Sequence, residues 1–366
     1  MYEEMVTRGG FSGPFSYFYH LYPVAGHREL SLASRGFAQP EVASHAALPL
    51  KRRLYVSHRI VPGGQPLDVR FPILFNSDVV VSLARPSEAD DAYFSNGDGD
   101  ELWFLHEGQA RLESPCGWLD VQAGDYVWIP RSLIHRWHLV GEVRAMIIEF
   151  SGGMFVPEIF RNPVGQLRMD APYTHRDFVT PTGPIATFDH VDDGPRDLFV
   201  KKRGHFTHYV AEYPLMDVVG WDGFVYPFAF AIEKYQAKAG LVHLPPTIHT
   251  TFEAPGALIC SFVPRVVDFH PQAIPCPYPH SSVDCDELIL YLRGNFTSRR
   301  GVGPGAISLH PAGVAHGPHP GAYEASIGTA RTDELAVMID TLRPLIPTHQ
   351  SIPLEDEGYH SSWRTS

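Results

Sequence analysis

HSSVDCDELILYLRG, residues 280–294, is the most telling stretch of this 366-residue chain. From Glu287 to Gly294 it reads as a short strand closed by a glycine turn. Glu287, Ile289 and Tyr291 then face one way, and Leu288, Leu290 and Leu292 the other. His280 precedes the glutamate by seven positions, and downstream Gly305 opens the run Gly-x5-Pro311-x-Gly313-x-x-His316. That run predicts a second strand, with Pro311 and Gly313 bending the chain so that His316 returns to the interior that Glu287 faces. Three metal-ligating side chains are thereby expected to converge on one point.

The same skeleton occurs earlier in the chain. Glu101 is followed by six residues and Gly108, and Gly124-x5-Pro130 leads to His135 at the offset that separates Pro311 from His316. The chain therefore reads as an internal duplication. In the earlier copy Asn96-Gly97-Asp98-Gly99-Asp100 stands where histidines would precede the glutamate, so Glu101 and His135 alone remain of a ligand set. His106 and Asp98 are the conceivable third ligands there, but a structural role is expected. The two half-motifs resemble those of the cupin barrel, a small jelly roll that holds its metal inside. The usual first motif has His-x-His ahead of the glutamate; here Ser282 takes the second place. Two histidines and one carboxylate remain, a set suited to non-haem Fe(II) that activates O2.

With 44% hydrophobic residues the chain can bury two cores of ordinary domain size. Its 33 prolines and 32 glycines, and few long amphipathic periods, favour an all-β architecture of short strands. Two cupin barrels are expected, a bicupin with an N-terminal arm over 1–45, a first barrel over 46–150, an irregular connector over 151–217, a metal-bearing barrel over 218–345 and a polar tail over 346–366. The net charge of −12 and the lack of a long basic run argue against nucleic acid. An acidic N-terminus without an apolar segment, and no membrane-length apolar run, predict a cytoplasmic protein. Cys116, Cys260, Cys276 and Cys285 show no CxxC spacing and read as reduced thiols, Cys285 as filler beside Glu287. Apolar residues on both faces of the Glu287 strand suggest that a partner subunit covers one of them, so a homo-oligomer is expected.

With these residues in view, the chain resembles the homogentisate 1,2-dioxygenase family in its shorter bacterial form. The resemblance rests on Gly220-Trp221-Asp222-Gly223 with Tyr226-Pro227, on the turn of His243, Pro245 and Pro246, and on HSSVDCDE with Glu287. It rests also on Arg293-Gly294-Asn295-Phe296 and on the run from His310 through His316 to His319. It runs from about residue 90 onward and is densest over 218–340. It implies an Fe(II) enzyme that opens the ring of a 2,5-dihydroxyphenyl acid with O2, giving maleylacetoacetate in tyrosine and phenylalanine breakdown. The family's iron ligands fall on His280, Glu287 and His316, its general base on His243, and a further active-site histidine on His310. His310 and His316 would also touch substrate, as would position 296, where the family's tyrosine is Phe296 here.

Several alternatives stay open at this point. His249 competes with His243 for the base, His319 is a candidate to orient His316, and Arg293, Arg299 and Arg300 are candidates for the substrate's carboxylate. The ring could instead be gentisate-like or that of a natural product. A zinc isomerase and a non-catalytic bicupin are the readings from other classes.

Overall fold

The computed structural model describes residues 1–33, 35–294 and 301–364; Phe296, Arg299 and Arg300 lie outside the described residues. The architecture is all-β. Among the described residues the helical elements are 3-10 turns and one short α-helix, Ala322–Ser326. A nine-stranded sheet is built around the long antiparallel strands Asp100–Ser114 and Arg136–Phe150. A six-stranded sheet runs in the order Thr250–Ala254, Ala257–Phe262, Leu335–Thr341, Asp286–Arg293, Ala306–His310, Arg53–Val56.

The alternation expected along the Glu287 strand is present, and it explains how the two halves meet. Leu288, Leu290 and Leu292 join a core that also takes Leu102, Phe104, Ile148 and Phe150 from the long sheet. Ile289 and Tyr291 turn inward to a smaller cluster with Leu54 and Ala336. The first barrel repeats the arrangement, since Trp103, Leu105 and Ile147 line its own interior with Trp137. The second apolar face of the Glu287 strand is thus covered by the other half of the same chain. Strand periodicity specifies that a face is buried but not what buries it, so that face is no argument for a partner subunit.

The strand pairing cuts across the expected segment boundaries. Arg53–Val56 pairs with Ala306–His310 of the later sheet, whereas Phe228–Ala231 and Ile346–Pro347 join the earlier one. The connector carries a hairpin, Asp197–Lys202 with His205–Ala211, extended by His27–Leu32 from the N-terminal arm and by Tyr93–Asn96. The arm's first two strands, Tyr2–Thr7 and Phe15–His20, form a sheet with Val218–Gly223. Phe18 of that sheet packs into the first barrel of its own chain. These exchanges stitch the two barrels together through segments whose partners are remote in sequence.

The duplicated glycines have a common cause. Gly294 follows the end of its strand and Gly108 sits at a bulge midway along Asp100–Ser114, and both take positive φ, +97° and +92°. A Cβ would lie 2.3 Å from the Asp333 carbonyl oxygen at Gly294, and 2.5 Å from that of Glu142 at Gly108. Only glycine fits either place.

Candidate metal centre

Glu287 is the second residue of the strand Asp286–Arg293, and the residue before it helps to aim it. Asp286 accepts hydrogen bonds from the amides of Ala312 at 2.8 Å and Leu345 at 2.7 Å, pinning the strand's start. His280 and His316 are joined by an antiparallel bridge in which each amide donates to the other's carbonyl, at 2.8 and 2.9 Å. The Gly313 amide donates to the Ser282 carbonyl at 2.9 Å and closes the turn between them. Side-chain nitrogens of His280 and His316 and a carboxylate oxygen of Glu287 lie within 4.8 Å of one another.

The orientation of the rings suits a cation. Each Nδ1 lies against a backbone carbonyl two residues back, Tyr278 for His280 at 3.1 Å and Val314 for His316 at 2.9 Å. A nitrogen in that position donates, which leaves Nε2 as a lone pair directed to the Glu287 carboxylate, 3.6 Å away in both cases. Nε2 of His316 is buried and has no hydrogen-bond partner. A buried imidazole lone pair costs about 1–3 kcal/mol if unsatisfied, and a divalent ion between the three groups would satisfy it. Burial acts to raise the Glu287 carboxyl, but the histidines ranged around it hold it well below the usual carboxylate range. The donor set therefore fits a metal ion, with two neutral imidazoles and one ionised carboxylate.

Around this triad stand His310, His319 and Asp340, with His243 farther out beyond Tyr278. His310 is fully buried and pairs with Glu287 across the sheet; its Nδ1 is 2.7 Å from Oε1 of Glu287, and its ring stacks on His316. His319 is also buried, with Nε2 2.7 Å from the Ser362 hydroxyl. Asp340 lies opposite Glu287 on the next strand, and burial, reinforced by Glu287, pushes its carboxyl up to about 7. His243 is exposed, with Nδ1 2.7 Å from the Asp268 carboxylate. Its ring meets Tyr278 edge-on at 5.0 Å, and Tyr278 in turn meets His280 at 6.1 Å. His249 instead stacks on Phe262, and burial followed by the Arg265 charge pushes its imidazole down to about 3. Arg293 pairs with Glu233 on the surface.

The earlier barrel repeats this backbone frame with different chemistry. Phe94 bridges His135 as His280 bridges His316, and His135 Nδ1 lies 3.0 Å from the Leu133 carbonyl. The place of an ion is taken by a guanidinium: Arg70 Nη1 donates to Oε1 of Glu101 at 2.6 Å, both side chains being almost wholly buried. Asn96 and the Trp103 indole donate to the same carboxylate at 2.8 Å. The rings of Phe37, Phe94 and Trp103 surround Arg70 at 4.0, 5.0 and 4.9 Å. Burial acts to raise the Glu101 carboxyl, and Arg70 overrides it, bringing it down to about 2. Neither conceivable third ligand approaches. Asp98 binds the amides of Arg203 and Gly204, and His106 lies in the seam between barrels with Ser57 and Arg144.

Sequence reasoning missed Arg70, Asp268, Asp340 and the C-terminal Tyr359. Asp340 had a legible signal, because MIIEF and VMIDT are a repeated strand in which Glu149 and Asp340 hold the same register against Glu101 and Glu287. Arg70 opens a strand whose counterpart in the later barrel is Thr250–Ala254, with no arginine there, and Tyr359 reaches its site from a segment outside both barrels' strands.

Two barrels of which one carries a two-histidine, one-carboxylate centre define a bicupin. Residues 79–232 match the family described as homogentisate 1,2-dioxygenase N-terminal. Over its whole length the chain is 34% identical to a "Putative dioxygenase" of Saccharolobus solfataricus, covering 94% of that protein. It is 30% identical over 270 residues to the homogentisate 1,2-dioxygenase of Bradyrhizobium diazoefficiens, covering 69% of this chain and 58% of that one. The corresponding enzyme of Nitrobacter hamburgensis is 28% identical, with 75% and 63% covered. The chain thus spans about three fifths of the length of these homogentisate dioxygenases. Among solved structures, the cupin 2 conserved barrel domain protein from Leptotrichia buccalis is similar at a TM-score of 0.39 and 11% identity, over 83% of this chain and 98% of that one. The chain belongs to the homogentisate 1,2-dioxygenase family.

Proposed function

We propose that the protein is a non-haem Fe(II) dioxygenase that opens the ring of homogentisate with both atoms of O2, yielding maleylacetoacetate in tyrosine and phenylalanine breakdown. The observation that carries this reading is the convergence of His280, Glu287 and His316 with a buried, unsatisfied His316 Nε2. Family membership narrows the chemistry to a dioxygenase. Fe(II), when held by two neutral imidazoles and one carboxylate, supplies open positions for a phenolate and O2 and lowers the phenol's pKa.

The remaining work falls to this chain's own groups. The base is His243: with Nδ1–H donated to Asp268, Nε2 is left as the lone pair that takes the phenolic proton, and the Asp268 carboxylate stabilises the imidazolium that results. His249 is a poor base, since an imidazole held at about 3 binds protons weakly near neutrality. His310 and His316 belong to the substrate's surroundings by the family resemblance, as does Phe296. A phenylalanine keeps an apolar wall but donates no hydrogen bond, a loss of about 1 kcal/mol where the partner still finds water. That residue favours a second reading, the same chemistry on a gentisate-like ring. No described helix is long and apolar enough to cross a membrane.

Oxygen uptake and ring-opening absorbance of the Fe(II)-loaded protein test the proposal. Homogentisate is expected to be consumed with one O2 and with a higher kcat/KM than gentisate. Preference for gentisate would move the assignment to the second reading, and inertness toward every 2,5-dihydroxy aromatic would remove it.

A further inference from the structure

The last fifteen described residues, expected from sequence to be a polar tail, end against the metal centre. Tyr359 is buried, and its hydroxyl lies 3.0 Å from Nε2 of His310, whose Nδ1 lies 2.7 Å from Oε1 of Glu287. An ionised carboxylate only accepts, so His310 Nδ1 carries the proton; Nε2 of the neutral ring then accepts, and the tyrosine donates. The chain of donors runs in one direction, from Tyr359 through His310 to Glu287.

The same turn grips the other side of the His316 loop. Ser362 meets His319 Nε2 at 2.7 Å, Trp363 stacks on the His319 ring at 3.9 Å, and the Trp363 indole donates to the Gly317 carbonyl at 3.2 Å. The segment is itself tied to the strand Arg53–Val56 and the turn after it. Arg53 pairs with Glu355, Arg59 donates to the Pro353 and Glu355 carbonyls, and Arg52 lies over the Trp363 ring at 4.1 Å. A short stretch at the chain's end thus holds the histidines six positions before and three after His316.

We propose that Tyr359 is a positioning residue of the metal centre: its hydroxyl fixes the His310 imidazole, which holds Glu287 in the geometry that binds the ion. This rests on the reading of His280, Glu287 and His316 as ligands. Removing the hydroxyl withdraws the donor at Nε2. Glu287 still keeps the proton on Nδ1, but the ring loses its second anchor and can tilt, which loosens its hold on the carboxylate. His310 acts in this account as a support behind the carboxylate, with both ring nitrogens engaged. Groups that hold a ligand in this way typically change metal affinity by about 10–100-fold when removed.

The test uses the full chain, stripped of metal and titrated with Co(II) against a chromophoric chelator. Tyr359→Phe is expected to raise the Co(II) dissociation constant about 10–100-fold and to shift the Co(II) d–d absorption, with the metal-free protein still folded and unfolding only slightly earlier on heating. His310→Gln should weaken binding comparably, and adding Tyr359→Phe in that background should do nothing more. Parent-like affinity and spectrum in Tyr359→Phe would overturn the proposal. So would a further loss in the double variant, which would mean that Tyr359 acts by packing and not through His310. Should the parent itself take up no Co(II), the ligand reading and this proposal fall together.

Discussion

Replacing Arg70 by methionine is the sharpest probe of why the earlier barrel needs no ion. Arg70 and Glu101 are 3% and 1% exposed and meet at 2.6 Å, so the variant strands a carboxylate in an apolar interior with only Asn96 and Trp103 as donors. Breaking a buried pair from one side costs about 3–5 kcal/mol. An independent route gives a similar size: a carboxyl moved from 4.5 to about 2 is worth about 3 kcal/mol at neutral pH. Because its folded-state pKa is depressed, Glu101 contributes this stability above pH 4.5 and loses it as pH falls through about 2. The difference between parent and variant should therefore be largest near pH 7 and shrink in acid. Urea unfolding followed by the fluorescence of Trp103, which touches both partners, reads the effect. Arg70→Met with Glu101→Gln leaves no buried charge, and the pair of changes should recover most of what Arg70→Met alone loses. A single variant within 0.5 kcal/mol of the parent, or a double variant as unstable as the sum of its singles, would refute the guanidinium as the ion's replacement.

His243→Gln should cut turnover by roughly two to four orders of magnitude with iron still bound, the usual size for positioned proton transfer; His249→Gln should leave kcat within a few-fold, and the reverse pattern would transfer the role. Asp268→Asn should lower kcat less than His243→Gln while moving the acidic limb of its pH profile, and an unmoved profile would separate Asp268 from the base. His20, buried between Asp217 at 2.7 Å and Glu4 at 3.2 Å, predicts alkaline weakening of the N-terminal sheet. Burial acts to lower its imidazole, and the two carboxylates carry it up to about 9. The stabilisation is full below pH 6.5 and lost as pH rises through about 9, so amide protection over residues 2–20, corrected for the intrinsic pH dependence of exchange, should fall across that window in the parent and not in His20→Gln.

Much of this was legible because the repeat writes itself twice. The Glu287 strand could be read from its period, and His316 from the glycine and proline that turn the chain back, since both are local steric demands. What covers the outer leucines was not legible: Leu288 and Leu290 meet Leu102 and Phe104, and no period in either strand names its partner. The same holds for the strand exchanges, where Arg53–Val56 completes a sheet whose other strands begin at residue 250. Arg70 looks from sequence like any strand-end arginine; only tertiary packing encloses it in aromatic rings. The C-terminal segment has the polar composition of a solvated tail, yet Tyr359 and Trp363 carry the apolar area and the donors that dock it.

The central claim is one live centre and one that holds its own cation. Anaerobic Fe(II) titration of the metal-free protein, with the bound ion counted per chain, tests it most directly. The account predicts one Fe(II) in the parent, none in Glu287→Ala and one in Glu101→Ala. Two ions in the parent, or an ion lost on changing Glu101 while the protein remains folded, would contradict it.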